Sequence, residues 1–217
     1  MPNTPIISDI FIASFRVLPA RNCKQLYDDG FRTSGLYNIM PRGPDPSIPT
    51  TPTRTMVVYC DMSLHGGGWT VIQRRVDGTI SFNRDWVSYK MGFGNLEGNF
   101  WLGLDNIMLL TNDVNMELYV GLSCFGCSDV AVFAKYKKFR VDSESKGYRL
   151  NVNMYDASST VPDSFAEGHD GQPFSTPDKD NDASPVNCAQ TDSSGWWFKS
   201  CFTASLNSIY KNEYDLG

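Results

Sequence analysis

The chain has 217 residues, a formal net charge of −5 and 41% hydrophobic residues, enough apolar material for one large domain or two small ones. Its 18 glycines, 12 prolines and 13% aromatic content describe a folded, loop-rich protein and exclude a disordered one. Basic residues group only at Arg74, Arg75 and within 135–140, which argues against a nucleic-acid partner, and no run of 18 apolar residues offers a membrane-spanning helix.

In chain order, residues 1–22 read as a linker or stalk remnant. The apolar stretch 6–15 is interrupted by Asp9 and has no basic lead, so it is not a signal peptide; any secretion signal is expected to have been removed. Residues 22–30 predict a short helix stopped by Gly30, and 34–40 a strand. Five prolines in 41–52 mark a surface loop. Residues 55–60 and 67–75 are β-rich, and Asp77-Gly78 signals a hairpin before a strand at 80–82. Helical turns are expected at 85–90 and 105–111, and strands at 116–123, 130–141 and 148–154. After Tyr155 the periodicity fades, and Gly, Pro, Ser, Asp and Asn dominate up to Gly195. The chain thus reads as a sheet-bearing half followed by a loop-built half.

Two features of that second half carry chemistry. Asp178, Asp180 and Asp182 alternate, without enough neighbouring Lys or Arg to neutralise them. Crowded carboxylates repel, so a folded loop of this kind calls for a hard divalent cation with oxygen ligands, and Ca²⁺ tolerates the irregular geometry of a loop. The six cysteines allow 15 pairings. Their spacing groups them as Cys23 with Cys60, Cys124 with Cys127, and Cys188 with Cys201, and disulfides in an oxidising compartment are the leading reading. Cys124-x-x-Cys127 could instead be redox-active or half a zinc site, although His65 and His169 lie far apart as further ligands. Gly66-Gly-Gly68 lacks the Lys-Ser/Thr of a phosphate loop, and His169-Asp170 near Ser164 has no nucleophile elbow, so an enzyme is not expected. No Asn-x-Ser/Thr sequon is present.

The strings Cys60-Asp-Met, Gly66-Gly-Gly-Trp-Thr-Val-Ile-Gln-Arg-Arg75, Ser81-Phe-Asn-Arg-Asp-Trp86, Phe100-Trp-Leu-Gly-Leu-Asp-Asn-Ile107, Asp178-Lys-Asp-Asn-Asp182, Asn187-Cys-Ala189 and Gly195-Trp-Trp197 occur in one order. Together they resemble the fibrinogen C-terminal domain family, over residues 23–217. The resemblance implies an α+β fold: a small disulfide-linked N-terminal subdomain (23–60), a central twisted antiparallel sheet (61–154) and a loop-rich calcium- and ligand-binding subdomain (155–217). It also implies a further Trp-rich segment and a last strand beyond Gly217, so the chain reads as truncated at its C-terminal end; residues 6–17 of a neighbouring molecule are one candidate to fill that place.

By the same resemblance the calcium ligands are the side chains of Asp180 and Asp182 and the backbone carbonyls of Ser184 and Val186, with Asp178 a turn or supporting residue. The binding pocket is expected at Thr191, Asp192, Ser200, Cys201, Phe202, Tyr214 and Asp215, with a cis peptide before Cys201. Phe202 and Asp215 stand where lectin-like members carry His and a small residue. Asp192 and Asp215 either hold the ammonium of a peptide or are exposed loop charges. Trp196 and Trp197 are read as buried framework rather than a sugar platform, with Trp69, Trp86 and Trp101 as further core candidates. The expected function is a secreted, calcium-dependent lectin-like recognition domain for microbial surface glycans or acetylated groups in innate immunity, with any oligomerising module outside the chain or within the domain surface. The alternative is a fibrinogen-like module that binds peptides or cell-surface proteins.

Overall fold

The structure, a computed structural model, describes residues 19–41, 54–112, 116–123 and 132–210. Three small antiparallel sheets and five short helices make the fold among these residues. Helix α1 (Cys23–Asp28) starts where the Asn22 side chain accepts the Gln25 amide, and Gly30, at φ 100°, ends it. Strands β1 (Gly35–Ile39) and β2 (Met56–Asp61) pair with β3 (Trp69–Val71). In β2 the residues alternate between buried and more exposed, which places Met56, Val58 and Cys60 inward. Cys60 meets Cys23 there in a disulfide with a Cα–Cα distance of 5.4 Å.

The second sheet is built from two-residue strands: β4 (Gln73–Arg74), β5 (Phe93–Gly94) and β6 (Phe100–Trp101) in the order β4-β6-β5. Between them lies helix α2 (Trp86–Met91), capped by the Asp85 carboxylate on the Ser88 amide at 2.8 Å. Helix α3 (Leu104–Thr111) follows and packs on the third sheet. That sheet orders β7 (Leu118–Leu122), β8 (Val132–Val141) and β9 (Leu150–Tyr155), with β8 in the centre.

The expected hairpin strand at 80–82 does not form. The Asp77 carboxylate accepts the Thr79 amide at 2.9 Å and the Asn99 side-chain amide at 2.5 Å. This local pinning turns the chain toward β6 and gives 80–82 no strand to pair with. The expected loop at 41–52 lies, beyond Pro41, outside the described residues.

One aromatic cluster joins the sheets to the loop-built half. Phe174 packs on Tyr89 at 5.2 Å and on Trp197 at 5.1 Å between ring centroids. Their polar ends are satisfied as buried rings require: Trp101 Nε1 donates to the Tyr89 carbonyl and Trp197 Nε1 to that of Tyr148. Trp86, Trp101, Trp196 and Trp197 are buried. Trp69 is not: it is half-exposed, and its Nε1 donates to the Leu64 carbonyl. Two short helices interrupt the expected loop region, α4 (Phe165–His169) and α5 (Cys188–Asp192).

Candidate functional site

The acidic loop and the disulfide loop form one connected unit. Asp178 is spent on framework, accepting the Trp86 amide at 2.9 Å and the Thr176 hydroxyl at 2.7 Å. Asp180 Oδ1 accepts the Asp182 amide at 3.1 Å. Asp182 then accepts the Ser184 amide on Oδ1 at 2.8 Å and the Cys188 amide on Oδ2 at 2.9 Å. Burial of Asp182, reinforced by the neighbouring Asp180 charge, holds its carboxyl above the usual carboxylate range, although the Cys188 and Ser184 amides pull the other way. Among the described residues no ion pair relieves Asp180 or Asp182. The adjacent Lys179 lies instead over the Trp86 ring, 3.7 Å from its centroid.

This donor set fits a hard cation. Two carboxylates are crowded on one loop without a basic partner, and each Asp182 oxygen keeps a free lone pair beyond its one amide bond. No three His, Cys, Asp or Glu side chains converge among the described residues. Further ligands would therefore have to be backbone carbonyls such as those of Ser184 and Val186. The Val186 side chain is exposed, and its amide donates to Ser184 Oγ at 3.3 Å.

Helix α5 begins where Asn187 accepts the Gln190 amide at 3.1 Å, and Cys188 in its first turn is joined to Cys201 across 5.3 Å between Cα atoms. Between these cysteines the chain leaves α5 through Ser193, at φ 53°. It then passes Gly195, where an added Cβ would lie 2.6 Å from the Tyr89 ring. Trp196 next bridges to Ser175. The Ser200–Cys201 peptide is cis. The Ala183 amide donates to the Lys199 carbonyl at 2.9 Å, so the acidic loop touches both ends of the disulfide loop.

Residues 202–210 form the second wall. Phe202 is 47% exposed, with its ring 5.9 Å from that of Phe198. His169 is fully buried; Nε2 accepts the Ala204 amide at 3.1 Å, so its Nδ1 proton faces the Trp197 carbonyl at 2.7 Å. Burial pushes the imidazole below its ordinary pKa, against those two backbone bonds. Gln73 Nε2 donates to Leu206 O and Asn207 Oδ1, Arg75 donates to Leu206 O and Ser208 O, and buried Asn207 donates to Gly195 O.

Asp192 ties the two walls together. It accepts the hydroxyls of Ser194 at 2.6 Å, Ser205 at 2.7 Å and Ser208 at 2.7 Å on Oδ2, and Ser208 again on Oδ1 at 2.9 Å. All of these donors are neutral, and Asp192 joins no ion pair among the described residues, so its charge stays available to a cation. Thr191 lies exposed on α5 and spends its hydroxyl on the Asn187 carbonyl at 3.3 Å. Ser200 is exposed. Tyr214 and Asp215 lie outside the described residues, as do Cys124 and Cys127. Sequence reasoning did not find Ser194, Ser205 or Ser208, and it weighed His169 only as a zinc ligand or hydrolase residue; the polar Gln73 and Arg75 within a strand run were the signal for the anchoring of the second wall.

The family model for the C-terminal globular domain of fibrinogen beta and gamma chains matches residues 19–216. The chain is 42% identical over 183 residues to human angiopoietin-related protein 2, covering 84% of this chain and 34% of that protein. It is 42% identical over 202 residues to rat fibrinogen-like protein 1, covering 87% of this chain and 60% of that protein. The chain thus spans about a third to three fifths of the length of these curated relatives. Among solved structures, the fibrinogen-like globe domain of human ANGPTL2 superposes with a TM-score of 0.80 at 40% identity, covering 90% of this chain and 84% of that one. A lamprey fibrin D-dimer complexed with the peptide Gly-His-Arg-Pro-amide gives 0.75 at 36% identity, over 89% of this chain and 62% of that one. These relatives overturn the expectation of a lectin-like domain for microbial glycans or acetylated groups in innate immunity. The similarity runs to angiopoietin-related and fibrinogen-like proteins, and the shared strings that suggested a lectin belong to the common framework.

Proposed function

Because the chain belongs to the fibrinogen C-terminal globular domain family, we propose that it is an extracellular recognition module for proteins or peptides, pinned by calcium and performing no catalysis. The observation that carries this reading is the likeness, at 36% identity, to a fibrin D-dimer complexed with a short peptide, Gly-His-Arg-Pro-amide. The geometry supports it. Asp192 accepts hydrogen bonds from three neutral serine hydroxyls and joins no ion pair among the described residues, and Phe202, on the second wall, is exposed. A carboxylate in that setting favours the ammonium of a peptide amino terminus, and Phe202 offers apolar surface to the residues that follow. The rigid surroundings limit the ordering cost of binding.

Calcium, when bound, supplies the positive charge that Asp180 and Asp182 lack. Asp182 passes the effect on through its bond to the Cys188 amide at the root of the disulfide loop. The two disulfides among the described residues, Cys23–Cys60 and Cys188–Cys201, accord with an oxidising, extracellular setting, and no described helix is long and apolar enough to cross a membrane. The test is a polarisation screen of short peptides with free and with acetylated amino termini, in calcium and in chelator. Calcium-dependent binding confined to free termini is expected. Equal binding of acetylated peptides would contradict the assignment.

A further inference from the structure

The acidic loop carries a cation of its own, and the fold keeps that cation engaged elsewhere. Lys179 lies between Asp178 and Asp180 and is the nearest basic residue along the chain to Asp180 and Asp182. An ammonium on a flexible four-carbon stem is suited to neutralise such a pair. Among the described residues, however, Lys179 joins no ion pair. The turn that carries it explains this. Thr176 and Lys179 exchange backbone hydrogen bonds at 2.9 Å and 3.0 Å, and the Asp178 carboxylate accepts the Trp86 amide at 2.9 Å. The turn is thereby docked on the start of α2, and Lys179 Nζ comes to rest 3.7 Å from the ring centroid of the first helical residue, Trp86. That ring is itself fixed. Trp86 is 6% exposed, its Nε1 donates to Glu144 Oε1 at 3.0 Å, and it packs on Tyr148 and Phe174. Glu144 adds a second attraction. Bonds from Lys90 and Trp86 chiefly hold its carboxyl below the ordinary range, and the Lys179 charge contributes.

We propose that Trp86 and Glu144 are positioning residues that hold Lys179 off Asp180 and Asp182, leaving this acid pair free for a divalent cation. The proposal rests on the calcium reading above and extends it to residues outside the loop that set the affinity. Calcium affinity follows the charge gathered at the ligands. Lys179, once released onto the acids, cancels one of their two charges and competes for the same oxygens. A ring face and a partly exposed carboxylate are a modest hold, so the pair tunes the affinity and does not create the site.

Calorimetric titration of calcium chloride into chelator-stripped protein tests this, at physiological ionic strength to screen the direct field of Glu144 on the loop. Glu144→Gln keeps an acceptor for Trp86 Nε1 and loses the charge; Trp86→Phe keeps a ring but offers a weaker face to the ammonium. Each is expected to weaken calcium binding about threefold. Lys179→Met is expected to bind at least as tightly as the parent, and in that background neither substitution has an effect. Equal losses with and without Lys179 would overturn the proposal and leave the calcium reading standing. Weaker binding in Lys179→Met alone would overturn it too, since the side chain would then be an anchor of the loop. A parent protein that binds no calcium would overturn both. Melting in chelator checks that each variant is folded; if Trp86→Phe is not, Glu144→Gln decides alone.

Discussion

Asp182 and His169 are the side chains through which solution conditions reach the site. Asp182 is crowded by Asp180 and partly buried, yet it holds the Cys188 amide. A calcium ion that binds only the folded chain adds about 2.7 kcal/mol at a hundredfold excess over Kd, or roughly 5–10 °C in a domain of this size. Differential scanning calorimetry should show that shift on adding calcium to the parent protein and lose it in Asp182→Asn; equal melting in calcium and chelator would refute the calcium assignment. His169 gives a second dependence. Its folded pKa lies below the unfolded value of about 6.5. Above pH ~6.5 both states are neutral and its contribution is complete. As pH falls below that value, the unfolded chain takes up a proton first, and stability declines until the folded imidazole also protonates. Denaturant midpoints should therefore drop between pH 7 and 5, and less steeply in His169→Gln, which can accept the Ala204 amide without titrating; equal slopes would exclude this role. The acids of the site were legible because alternation along a loop is visible in sequence. The serines around Asp192 were not, since Ser205 and Ser208 arrive from 13 and 16 residues away and only folding brings them together.

At the scale of elements, the disulfide loop and the packing beneath it set the shape of the site. Cys188 and Cys201 are separated by 13 positions, and closing a loop of that length contributes about 3 kcal/mol through the unfolded state. Replacing both with alanine should lower the unfolding free energy by roughly that amount in chemical denaturation, and a change below about 1 kcal/mol would mean that the loop is held by its hydrogen bonds alone. Gly195 presses against the Tyr89 and Phe174 rings, at 2.6 Å and 2.9 Å from where a Cβ would sit. Gly195→Ala should cost about 1–3 kcal/mol by overpacking, measured the same way, and a neutral effect would mean that these rings can yield. Long alternating runs such as 132–141 were readable as strands because each spans several periods. The pairs Phe93–Gly94 and Phe100–Trp101 were not, because two residues carry no period. Asp77-Gly78 misled for a related reason: the dipeptide marks a turn, but the Asn99 side chain decides what the turn leads to.

Over the whole molecule, the aromatic cluster of Tyr89, Phe174 and Trp197 makes the sheets and the recognition loops one packed unit. Gln73 and Arg75, next to β6, hold the wall that Asp192 holds from the other side. The family was legible in sequence because its framework strings are long and ordered. The kind of ligand was not, because those strings build the scaffold, and in the proposed reading specificity rests on few side chains such as Asp192 and Phe202. The central claim is that the Asp192 charge receives a peptide ammonium. Calorimetric titration of one short peptide, free and acetylated at its amino terminus, into the parent protein and into Asp192→Asn tests it most directly. The account predicts that acetylation weakens binding to the parent roughly tenfold or more and leaves binding to the variant unchanged. An acetylation penalty of equal size in both proteins would contradict it.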